Sequence, residues 1–322
     1  MQQIYSLISD DLEKVEAELI NTLSSQVPLI NKAGGYIIGS GGKRIRPLML
    51  LLVAKYCNYK GGQHIPLACI FEYIHTATLL HDDVLDNAKV RRGNSSVNSV
   101  WGDRTSVLVG DYLLSKAFSL LIKIGDLKIM KVVSEATTQV AEGETMQTER
   151  SNDVELNEKE YTKIVTNKTA SLIAAACQVG AVLGNTSPER EHIFENYGLN
   201  LGIAFQMVDD TLDYMNGDRR FGKAIYKDLQ EGKITLPLIH TLREASNGDK
   251  ETILKVLKGD CLDEQNMSTI VELIKEYKGM NYAHTRAKEY IDSSMRSIQE
   301  LDSSPIKDAL IATADYVLKR SW

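Results

Sequence analysis

The stretch HDDVLD at residues 81–86 is echoed by QMVDDTLD at residues 206–213. Each stretch carries two adjacent aspartates and a third aspartate three residues later. Both lie in runs that are otherwise apolar, Phe71 to Leu85 for the first and Leu199 to Leu212 for the second. Apolar runs longer than about ten residues favour buried helices over strands. The sequence therefore predicts two buried helices, each with one acidic motif.

Helical spacing puts the outer aspartates of each motif on one face. Residues i and i+4 are neighbours on a helix, so Asp82 lies next to Asp86, and Asp209 lies next to Asp213. Paired carboxylates repel each other, and their burial without a partner is costly, so a cation is expected between them. Mg²⁺ suits carboxylate oxygens and usually completes its shell with water and a substrate's phosphates. One such motif alone also fits a solvated acidic helix end, but two copies favour metal binding.

The overall composition is that of a globular protein without a dominant basic surface. Of 322 residues, 43% are hydrophobic and 25% are charged, which is enough for a large core. A formal net charge of −6 argues against nucleic-acid binding and favours small-molecule partners. The cysteines form no CxxC pair, which suits a reducing cytosol; they are Cys57, Cys69, Cys177 and Cys261.

The sequence has no recognisable targeting or membrane-spanning pattern. Residues 1–18 are amphipathic and contain acidic residues, unlike a signal peptide. The longest uncharged apolar stretch, Thr169 to Gly184, is shorter than the ~20 residues of a membrane span and is interrupted by Gln178. We therefore expect a packed internal helix there, in a cytoplasmic protein with at most peripheral membrane contact.

The positions of the prolines and glycines predict an all-α fold. All six prolines fit helix starts or turns: Pro28, Pro47, Pro66, Pro188, Pro237 and Pro305. The pattern predicts one amphipathic helix from Ile4 to Leu23, a short helix bracketed by Gly34-Gly35 and Gly39 to Gly42, a charged loop from Asn87 to Asn94, and a turn at Gly125-Asp126. No long linker divides the chain, so we expect one domain over residues 1–322, with the two acidic helices as facing walls of one cavity.

Basic residues beside glycines or beside the acidic helices are candidates for anion binding. A metal-bridged polyphosphate leaves outer oxygens that need Lys or Arg donors. The candidates are Lys43 with Arg46, Arg91 with Arg92, Lys168, and Lys223 with Lys233. Each alone fits a solvated surface charge better, and only the set points to anion binding.

Two further features point to the same site. Gly41-Gly42 would let the backbone approach an anion closely, and the stretch from Asn216 to Gly222 predicts a mobile loop over a site. His75 lies two helical turns before Asp82 and so on nearly the same face. A lone histidine in an apolar helix is more often a core residue, so His75 alone decides little.

These features together describe an enzyme that ionises a diphosphate. Metal ions that draw charge from a diphosphate make it a better leaving group. A leaving diphosphate implies a carbocation, and an apolar helical interior would shield that cation from water. The residues therefore indicate prenyl chemistry.

The chain resembles the trans-type polyprenyl diphosphate synthases, of the isoprenyl diphosphate synthase family, from end to end. The motifs that carry the resemblance are, in order, Gly41 to Pro47 (GGKRIRP), His75 to Asp86, Arg91-Arg92-Gly93, Lys168-Thr169, Gln206 to Asp213 and Gly222-Lys223. The resemblance implies a single-domain bundle of antiparallel helices around a deep central cavity, acting as a homodimer. It also implies Mg²⁺, about three ions per site, and head-to-tail condensation of isopentenyl diphosphate with an allylic primer such as farnesyl diphosphate.

The resemblance also implies a role for individual residues. The metal-facing carboxylates would be Asp82, Asp86 and Asp209, with Asp83, Asp210 and Asp213 in support and Asp213 also among the metal ligands. The residues that hold isopentenyl diphosphate would be Lys43, Arg46, His75 and Arg92. The residues that face the allylic diphosphate would be Arg91, Lys168, Thr169, Gln206, Lys223 and Lys233, with Lys168 also counted as catalytic.

Two positions bear on product length, and one segment departs from the family. Ala77 and Thr78 lie about one turn below the metal-facing end of their helix, where bulky residues resemble a floor that stops short products. Their small side chains predict a medium- or long-chain product, about hexaprenyl to decaprenyl, with octaprenyl as best estimate. Ala77 is alternatively small only for helix packing. After Lys223, residues 224–227 differ from the family's smaller, less aromatic run, which leaves the role of Asp228 open.

Three other functions compete with this one. A terpene cyclase shares the aspartate motif but ionises one substrate, so it needs no second diphosphate pocket. A metal-dependent phosphohydrolase would need more histidines near its metal. A non-catalytic partner subunit of a heteromeric synthase would be expected to lose aspartates, whereas this chain keeps all six. A short-chain farnesyl or geranylgeranyl diphosphate synthase remains the nearest alternative.

Overall fold

A computed structural model describes residues 2–215, 226–258 and 264–320. Its helices are α1 (Gln2–Ser6), α2 (Ser9–Thr22), α3 (Pro28–Gly39), α4 (Ile45–Tyr56), α5 (His64–Leu85), α6 (Val97–Trp101), α7 (Asp103–Ile124), α8 (Leu127–Glu149), α9 (Glu158–Val165), α10 (Ser171–Leu183), α11 (Pro188–Met215), α12 (Lys227–Gln230), α13 (Leu236–Glu244), α14 (Asn247–Lys258), α15 (Glu264–Glu276), α16 (Gly279–Ser297) and α17 (Pro305–Lys319). A π-helical turn, Thr166–Ala170, joins α9 to α10, and the strands are β1 (Val90–Arg91) and β2 (Asn94–Ser95). The all-α fold class is confirmed.

Local sequence signals explain many helix ends. Pro28, Pro188 and Pro305 are each the first residue of a helix, where the missing N–H of proline costs no hydrogen bond. The predicted turn at Gly125 is confirmed, because this glycine ends α7 in the left-handed conformation, with φ 72°. Asn157 caps α9 by accepting hydrogen bonds from two backbone N–H groups of its first turn.

Three predicted boundaries were wrong. The helix predicted from Ile4 to Leu23 is divided into α1 and α2, because Ile8 is non-helical (φ −134°) and buries its side chain. Gly34 and Gly35 lie inside α3: a Cβ on Gly34 would be 2.9 Å from the Leu23 side chain, so this glycine permits close packing. The loop predicted from Asn87 to Asn94 contains β1 and a tight hairpin turn.

The described residues fall into two compact units. The first comprises Met1–Thr137, Leu172–Glu195 and Leu301–Ala312, and the second comprises Thr138–Ser171, Asn196–Glu300 and Thr313–Trp322. The segments of the two units alternate along the chain, so no single cut separates them. The expectation of one domain stays a prediction.

In the first unit, α5 packs against α2, α4 and α7. The hydroxyl of Tyr73 donates to the carbonyl oxygen of Leu19 in α2 at 2.6 Å, and the hydroxyl of Ser106 in α7 donates to that of Leu80 at 2.8 Å. Gly110 of α7 lies so close to His81 that a Cβ there would be 2.4 Å from Nε2. The C-terminal half of α5, which carries the first acidic motif, is therefore held firmly.

In the second unit, two glycines bring helices close to the π-helical turn. A Cβ on Gly143 of α8 would be 2.4 Å from the backbone nitrogen of Lys168, and a Cβ on Gly202 of α11 would be 2.6 Å from the Cα of Ala170. Any larger side chain at either glycine would push the turn away. The second acidic motif, on α11, is thereby packed beside the segment that carries Lys168.

Candidate functional site

The first acidic motif lies at the C-terminal end of α5. Asp82 and Asp83 are in its last turn, and the N–H of Asp86 donates to the carbonyl oxygen of Asp82 at 2.8 Å. This helical turn confirms the predicted i, i+4 relation of the outer aspartates, which are both partly exposed. Asp83, in contrast, is fully buried.

The buried Asp83 is paired with Arg91 of the hairpin. Nε and Nη2 of Arg91 both donate to Oδ1 of Asp83, at 2.7 and 2.5 Å. The hairpin turn at Arg92 and Gly93, with φ 52° and 80°, brings Arg91 back to α5. Oδ2 of Asp83 is buried and has no hydrogen-bond partner among the described residues. The sequence predicted that Arg91 binds the allylic diphosphate. In the structure, two nitrogen atoms of its guanidinium already bind Asp83.

Arg92 lies against the predicted glycine pair. Its Nη1 donates to the carbonyl oxygen of Gly41, and a Cβ on Gly42 would be 2.8 Å from its Cζ. Gly42 also has a backbone φ of 148°, which residues with a side chain rarely adopt. Glycine at this position therefore makes room for a guanidinium.

Arg92 and Arg46 lie near His75, and their two guanidinium charges are opposed by the charge of Glu72. Burial, opposed by the charge of Glu72 and reinforced by that of Arg92, lowers the pKa of Arg46 to about 10. Burial and then the charges of Arg46 and Arg92 lower the pKa of His75 well below its ordinary value. Nε of Arg46 is buried without an acceptor in the part of the chain that the structure describes. A bound anion would raise the pKa of Arg46 and of His75, and it would provide an acceptor for Nε of Arg46.

Arg44, in the same motif as Lys43 and Arg46, has a different position. It is only 7% exposed and binds Glu72 through Nη1 at 2.6 Å and Glu16 through Nε at 2.6 Å. Its backbone is left-handed, with φ 48°. Burial opposes the charge of Arg44, but its two carboxylate partners prevail and raise its pKa. The exposed Lys43 and the partly exposed Arg46 thus flank a buried ion pair.

The second acidic motif is built around neutral hydrogen-bond donors. Oδ2 of Asp210 accepts from the hydroxyl of Tyr161 at 2.6 Å, and Oδ1 accepts from Nε2 of Gln206 at 2.7 Å. The hydroxyl of Thr169 donates to Oε1 of Gln206 at 2.9 Å. Burial raises the pKa of Asp210 to about 6, against the two donors and with the repulsion of Asp209 and Asp213.

Lys168 projects from the π-helical turn beside α8. Its Nζ lies 2.5 Å from Oε2 of Glu144 and 2.7 Å from Oε1 of Gln147. π-helical turns insert one extra residue into a helix and often mark functional sites. The turn therefore sets the direction of Lys168 relative to a regular helix.

Asp228 adjoins the end of the second motif. Its N–H donates to Oδ2 of Asp213 at 3.0 Å, and its carbonyl oxygen accepts from the N–H of Lys233 at 2.8 Å. Burial and the charges of Asp210 and Asp213 raise the pKa of Asp228 well above its ordinary value. The structure thus joins Asp228, whose role the sequence left open, to the acidic cluster. Lys223 and the loop predicted from Asn216 to Gly222 lie outside the described residues.

One cavity of about 90 Å³ collects these groups of the second unit. The predicted site residues that line it are Lys168, Thr169, Gln206, Asp210 and Lys233. Tyr161 and Asp228 also line it. Lysines and protonatable carboxyl groups on one small cavity can bind an anion, a metal–anion complex or both.

Neither a preassembled metal cage nor a membrane span is found in the part of the chain that the structure describes. Within residues 2–215, 226–258 and 264–320, no group of three or more His, Cys, Asp or Glu side chains is arranged to hold a metal ion. No helix of these residues is long and apolar enough to cross a membrane. The carboxylates of each motif are nonetheless hard oxygen donors, and in the second motif burial raises the pKa of Asp210 and Asp213, a cost that a cation would reduce.

Comparison with known proteins assigns the chain to a family. The family model described as Polyprenyl synthetase matches residues 27–274. The chain belongs to the polyprenyl synthetase family. Among its relatives, octaprenyl diphosphate synthase of Escherichia coli (strain K12) is 37% identical over 320 residues, 99% of each chain. Octaprenyl diphosphate synthase of Haemophilus influenzae is 38% identical over 326 residues, 100% of this chain and 98% of that one.

A solved structure agrees with this assignment. The polyprenyl synthase of Caulobacter crescentus CB15, complexed with calcium and isoprenyl diphosphate, matches with a TM-score of 0.95 at 33% identity, covering 100% of this chain and 98% of that one. The resemblance predicted from the motifs is confirmed. This member of the polyprenyl synthetase family is an enzyme that transfers prenyl groups.

The positions predicted to control product length in this polyprenyl synthetase differ in burial. Ala77 is 1% exposed, whereas Thr78 is partly exposed and its hydroxyl donates to the carbonyl oxygen of His75 at 2.8 Å. Thr78 therefore has its polar group satisfied within α5. Both interpretations of Ala77, passage for a chain and helix packing, are compatible with its burial.

Sequence reasoning missed two site residues of the polyprenyl synthetase. Tyr161 lies 49 residues from Asp210 in an ordinary amphipathic pattern, and nothing local distinguishes it. Arg44 lies in the GGKRIRP motif, but the motif alone assigns it no role. A carboxylate at Glu72 inside an apolar helix was the available signal, because a buried acid needs a cationic partner.

Proposed function

We propose that this protein condenses isopentenyl diphosphate head-to-tail with an allylic primer such as farnesyl diphosphate, forming a medium- or long-chain all-trans polyprenyl diphosphate. Octaprenyl diphosphate is the proposed product, by likeness to the two octaprenyl diphosphate synthases. The observation that carries the proposal is the pair of guanidinium groups of Arg46 and Arg92 beside the neutral imidazole of His75, with Nε of Arg46 lacking an acceptor among the described residues, in addition to the acidic motifs. An enzyme that ionises one diphosphate needs no such second anion site.

Mg²⁺ is the proposed metal. Asp82 and Asp86 of the first motif and Asp209 and Asp213 of the second would hold it. When bound, Mg²⁺ would draw charge from the allylic diphosphate and make it a better leaving group. Mg²⁺ sites often use only one or two carboxylates with water and substrate phosphates, so a protein cage of three or more ligands is not required. The number of ions, about three per site, rests on the resemblance alone.

The two diphosphates would use different sets of basic residues. The set proposed to hold isopentenyl diphosphate is Lys43, Arg46, His75 and Arg92. Nε of Arg46 is buried without an acceptor among the described residues, so a diphosphate oxygen could accept its hydrogen bond. The proposed allylic set is Arg91, Lys168, Thr169, Gln206, Lys223 and Lys233. The hydroxyl of Thr169 and the amide of Gln206 are already ordered by hydrogen bonds to each other, which favours a fixed geometry at the cavity.

Elongation by the protein alone tests this function. Purified protein is incubated with farnesyl diphosphate, isopentenyl diphosphate and Mg²⁺, and the mass of the lipid product is measured. We expect a prenyl diphosphate of about hexaprenyl to decaprenyl length, and no product when EDTA replaces Mg²⁺. A cyclic hydrocarbon would instead favour a cyclase, and no turnover would favour the partner-subunit alternative.

Substitution of Ala77 tests product length. Ala77→Tyr should shorten the product, because a phenol ring fills space that a growing chain would pass. Ala77→Ser, which scarcely changes the volume, is the matched control and should leave the product unchanged. An unaltered product distribution in an active Ala77→Tyr enzyme would refute the proposed passage.

A homodimer in the cytoplasm is the proposed assembly. Apolar side chains of α6 and α7 are exposed in the first unit, and they are Val100 at 48%, Val107 at 38% and Leu108 at 57%. Such exposure favours coverage by a second copy. Sedimentation equilibrium should give twice the mass of the 35.9 kDa chain. Leu108→Asp should shift the protein toward monomer, and a monomeric wild type would refute the proposal.

A further inference from the structure

Arg320 holds the first aspartate of the second motif. It directly follows α17, and its side chain is only 9% exposed. Its Nη2 donates to Oδ1 of Asp209, and its Cζ lies 4.5 Å from the ring centroid of Phe205. Phe205 and Asp209 are four residues apart on α11, so the guanidinium is bound at once by an aromatic face and a carboxylate on one helix face.

This contact occupies a carboxylate that is otherwise suited to a metal. The Asp209 side chain is 38% exposed, whereas Asp210 is 7% exposed and bonded to Tyr161 and Gln206. Asp209 is therefore the accessible carboxylate of this adjacent pair. A guanidinium and a divalent cation at the same oxygen would repel each other, so they exclude one another there.

The second amino group of Arg320 has no such partner. Nη1 is buried and has no acceptor among the described residues. A buried donor without an acceptor weakens the bound arrangement relative to one in which every N–H is bonded. The contact with Asp209 thus leaves one buried guanidinium donor unsatisfied, which lowers the cost of displacing Arg320.

We propose that Arg320 is a tethered counter-cation for Asp209 that competes with the metal and leaves when the metal binds. Arg320 is a positioning residue in this role: it keeps the Asp209 carboxylate compensated in the metal-free enzyme and sets the metal concentration needed to load it. The inference rests on the proposed function, because it requires Asp209 to be a metal ligand. Beyond the proposed function, it states that Arg320 changes position when the metal binds to Asp209.

Mn²⁺ binding measures this competition directly. Mn²⁺ alone is titrated into the full-length protein at low ionic strength, and free Mn²⁺ is counted by its electron paramagnetic resonance signal. Arg320→Gln should bind Mn²⁺ about threefold to tenfold more tightly, because it removes a competing charge from the partly exposed Asp209 carboxylate. Lys319→Gln is the matched control: it removes a neighbouring exposed charge and should leave affinity within about twofold of wild type. Arg320→Lys should stay close to wild type.

The outcomes separate the inference from the function on which it rests. Unchanged or weaker Mn²⁺ binding in Arg320→Gln, or equal tightening in Lys319→Gln, would overturn the counter-cation. Asp209→Asn should lose Mn²⁺ binding at this site. If Asp209→Asn bound Mn²⁺ as wild type does, the metal assignment in the proposed function would fail, and the inference with it.

Tryptophan fluorescence provides a second readout that does not depend on activity. The chain has two tryptophans, Trp101 and Trp322, so Trp101→Phe leaves one probe two residues from Arg320. Mg²⁺ should change the emission of this variant as Arg320 leaves Asp209. The same addition to a protein that also carries Arg320→Gln should change the emission much less. An equal Mg²⁺ response in both proteins would contradict the displacement.

Discussion

In the first acidic motif the buried middle carboxylate, Asp83, faces the guanidinium of Arg91, whereas in the second motif Asp210 faces the hydroxyl of Tyr161 and the amide of Gln206. The two carboxylates occupy the same place in the DDxxD spacing. Their charge is met in different ways, by a full positive charge in one unit and by neutral dipoles in the other. Neutral donors compensate a buried charge less well, which is why burial raises the pKa of Asp210 to about 6.

The charged partner of Asp83 and the neutral partners of Asp210 indicate different roles for these two aspartates. Asp83 with Arg91 ties the hairpin to the end of α5, and this contact is structural in the metal-free protein. Asp210 lines the cavity with Lys168 and Lys233, and burial raises its pKa to about 6. A similar spacing of aspartates therefore produces a rigid support in one unit and an adjustable charge in the other.

The largest expected effect comes from removing Arg91. Arg91→Ala would leave the fully buried Asp83 without its cation, so the free energy of unfolding should fall by about 3 to 5 kcal/mol. Urea denaturation measures the change. Lys89→Ala, which removes an exposed cation from the same segment, is the control and should change stability by less than about 0.5 kcal/mol.

A double substitution separates charge from packing. Arg91→Ala combined with Asp83→Asn removes the buried charge along with its partner, so it should be more stable than Arg91→Ala alone. If the double variant were less stable than the single one, the Asp83–Arg91 pair would not be the source of the loss.

An intermediate effect is expected in the pH dependence of stability. The pKa of Asp210 is about 6 in the folded protein and near 3.8 in the unfolded chain, so its contribution to stability is fully present below about pH 3.8 and is lost as pH rises to about 6. Asp210→Asn removes this loss. Relative to wild type, the variant should therefore gain up to about 3 kcal/mol between pH 4 and pH 7.

Urea titrations of wild type and Asp210→Asn across this pH range provide the measurement. Asp302→Asn is the control, because that side chain is 94% exposed and its substitution should give a difference that is flat with pH. A flat difference for Asp210→Asn as well would mean that neighbouring groups hold Asp210 ionised, and the contrast between the two motifs would disappear.

The local half of this architecture is predictable from the sequence. Prolines at helix starts, the turn at Gly125 and the i, i+4 pairing of Asp82 with Asp86 each depend on neighbouring residues. The motif order also identified the family, which the match over residues 27–274 confirms. Such features follow from backbone geometry within one or two turns.

The partners of the aspartates were not predictable, because they depend on distant packing. Tyr161 reaches Asp210 across 49 residues, and Arg320 reaches Asp209 across 111. Even Arg91, eight residues from Asp83, was predicted for a ligand, because its sequence does not reveal that a hairpin turns it back onto α5. The π-helical turn at Lys168 likewise packs closely against Gly143, which is distant in sequence.

The smallest expected effect tests the neutral side of the comparison. Tyr161→Phe removes the donor to Oδ2 of Asp210, so the free energy of unfolding should fall by about 1 to 2 kcal/mol, less than for Arg91→Ala. The lost hydrogen bond favoured the ionised carboxylate, so the pKa of Asp210 should rise above about 6 and the loss of stability should extend to higher pH. Tyr316→Phe on α17 is the control and should alter neither quantity. A loss as large as that of Arg91→Ala would show that Asp210, like Asp83, is held by one dominant partner, and a pH dependence that does not move would show that the tyrosine hydroxyl does not tune the carboxylate.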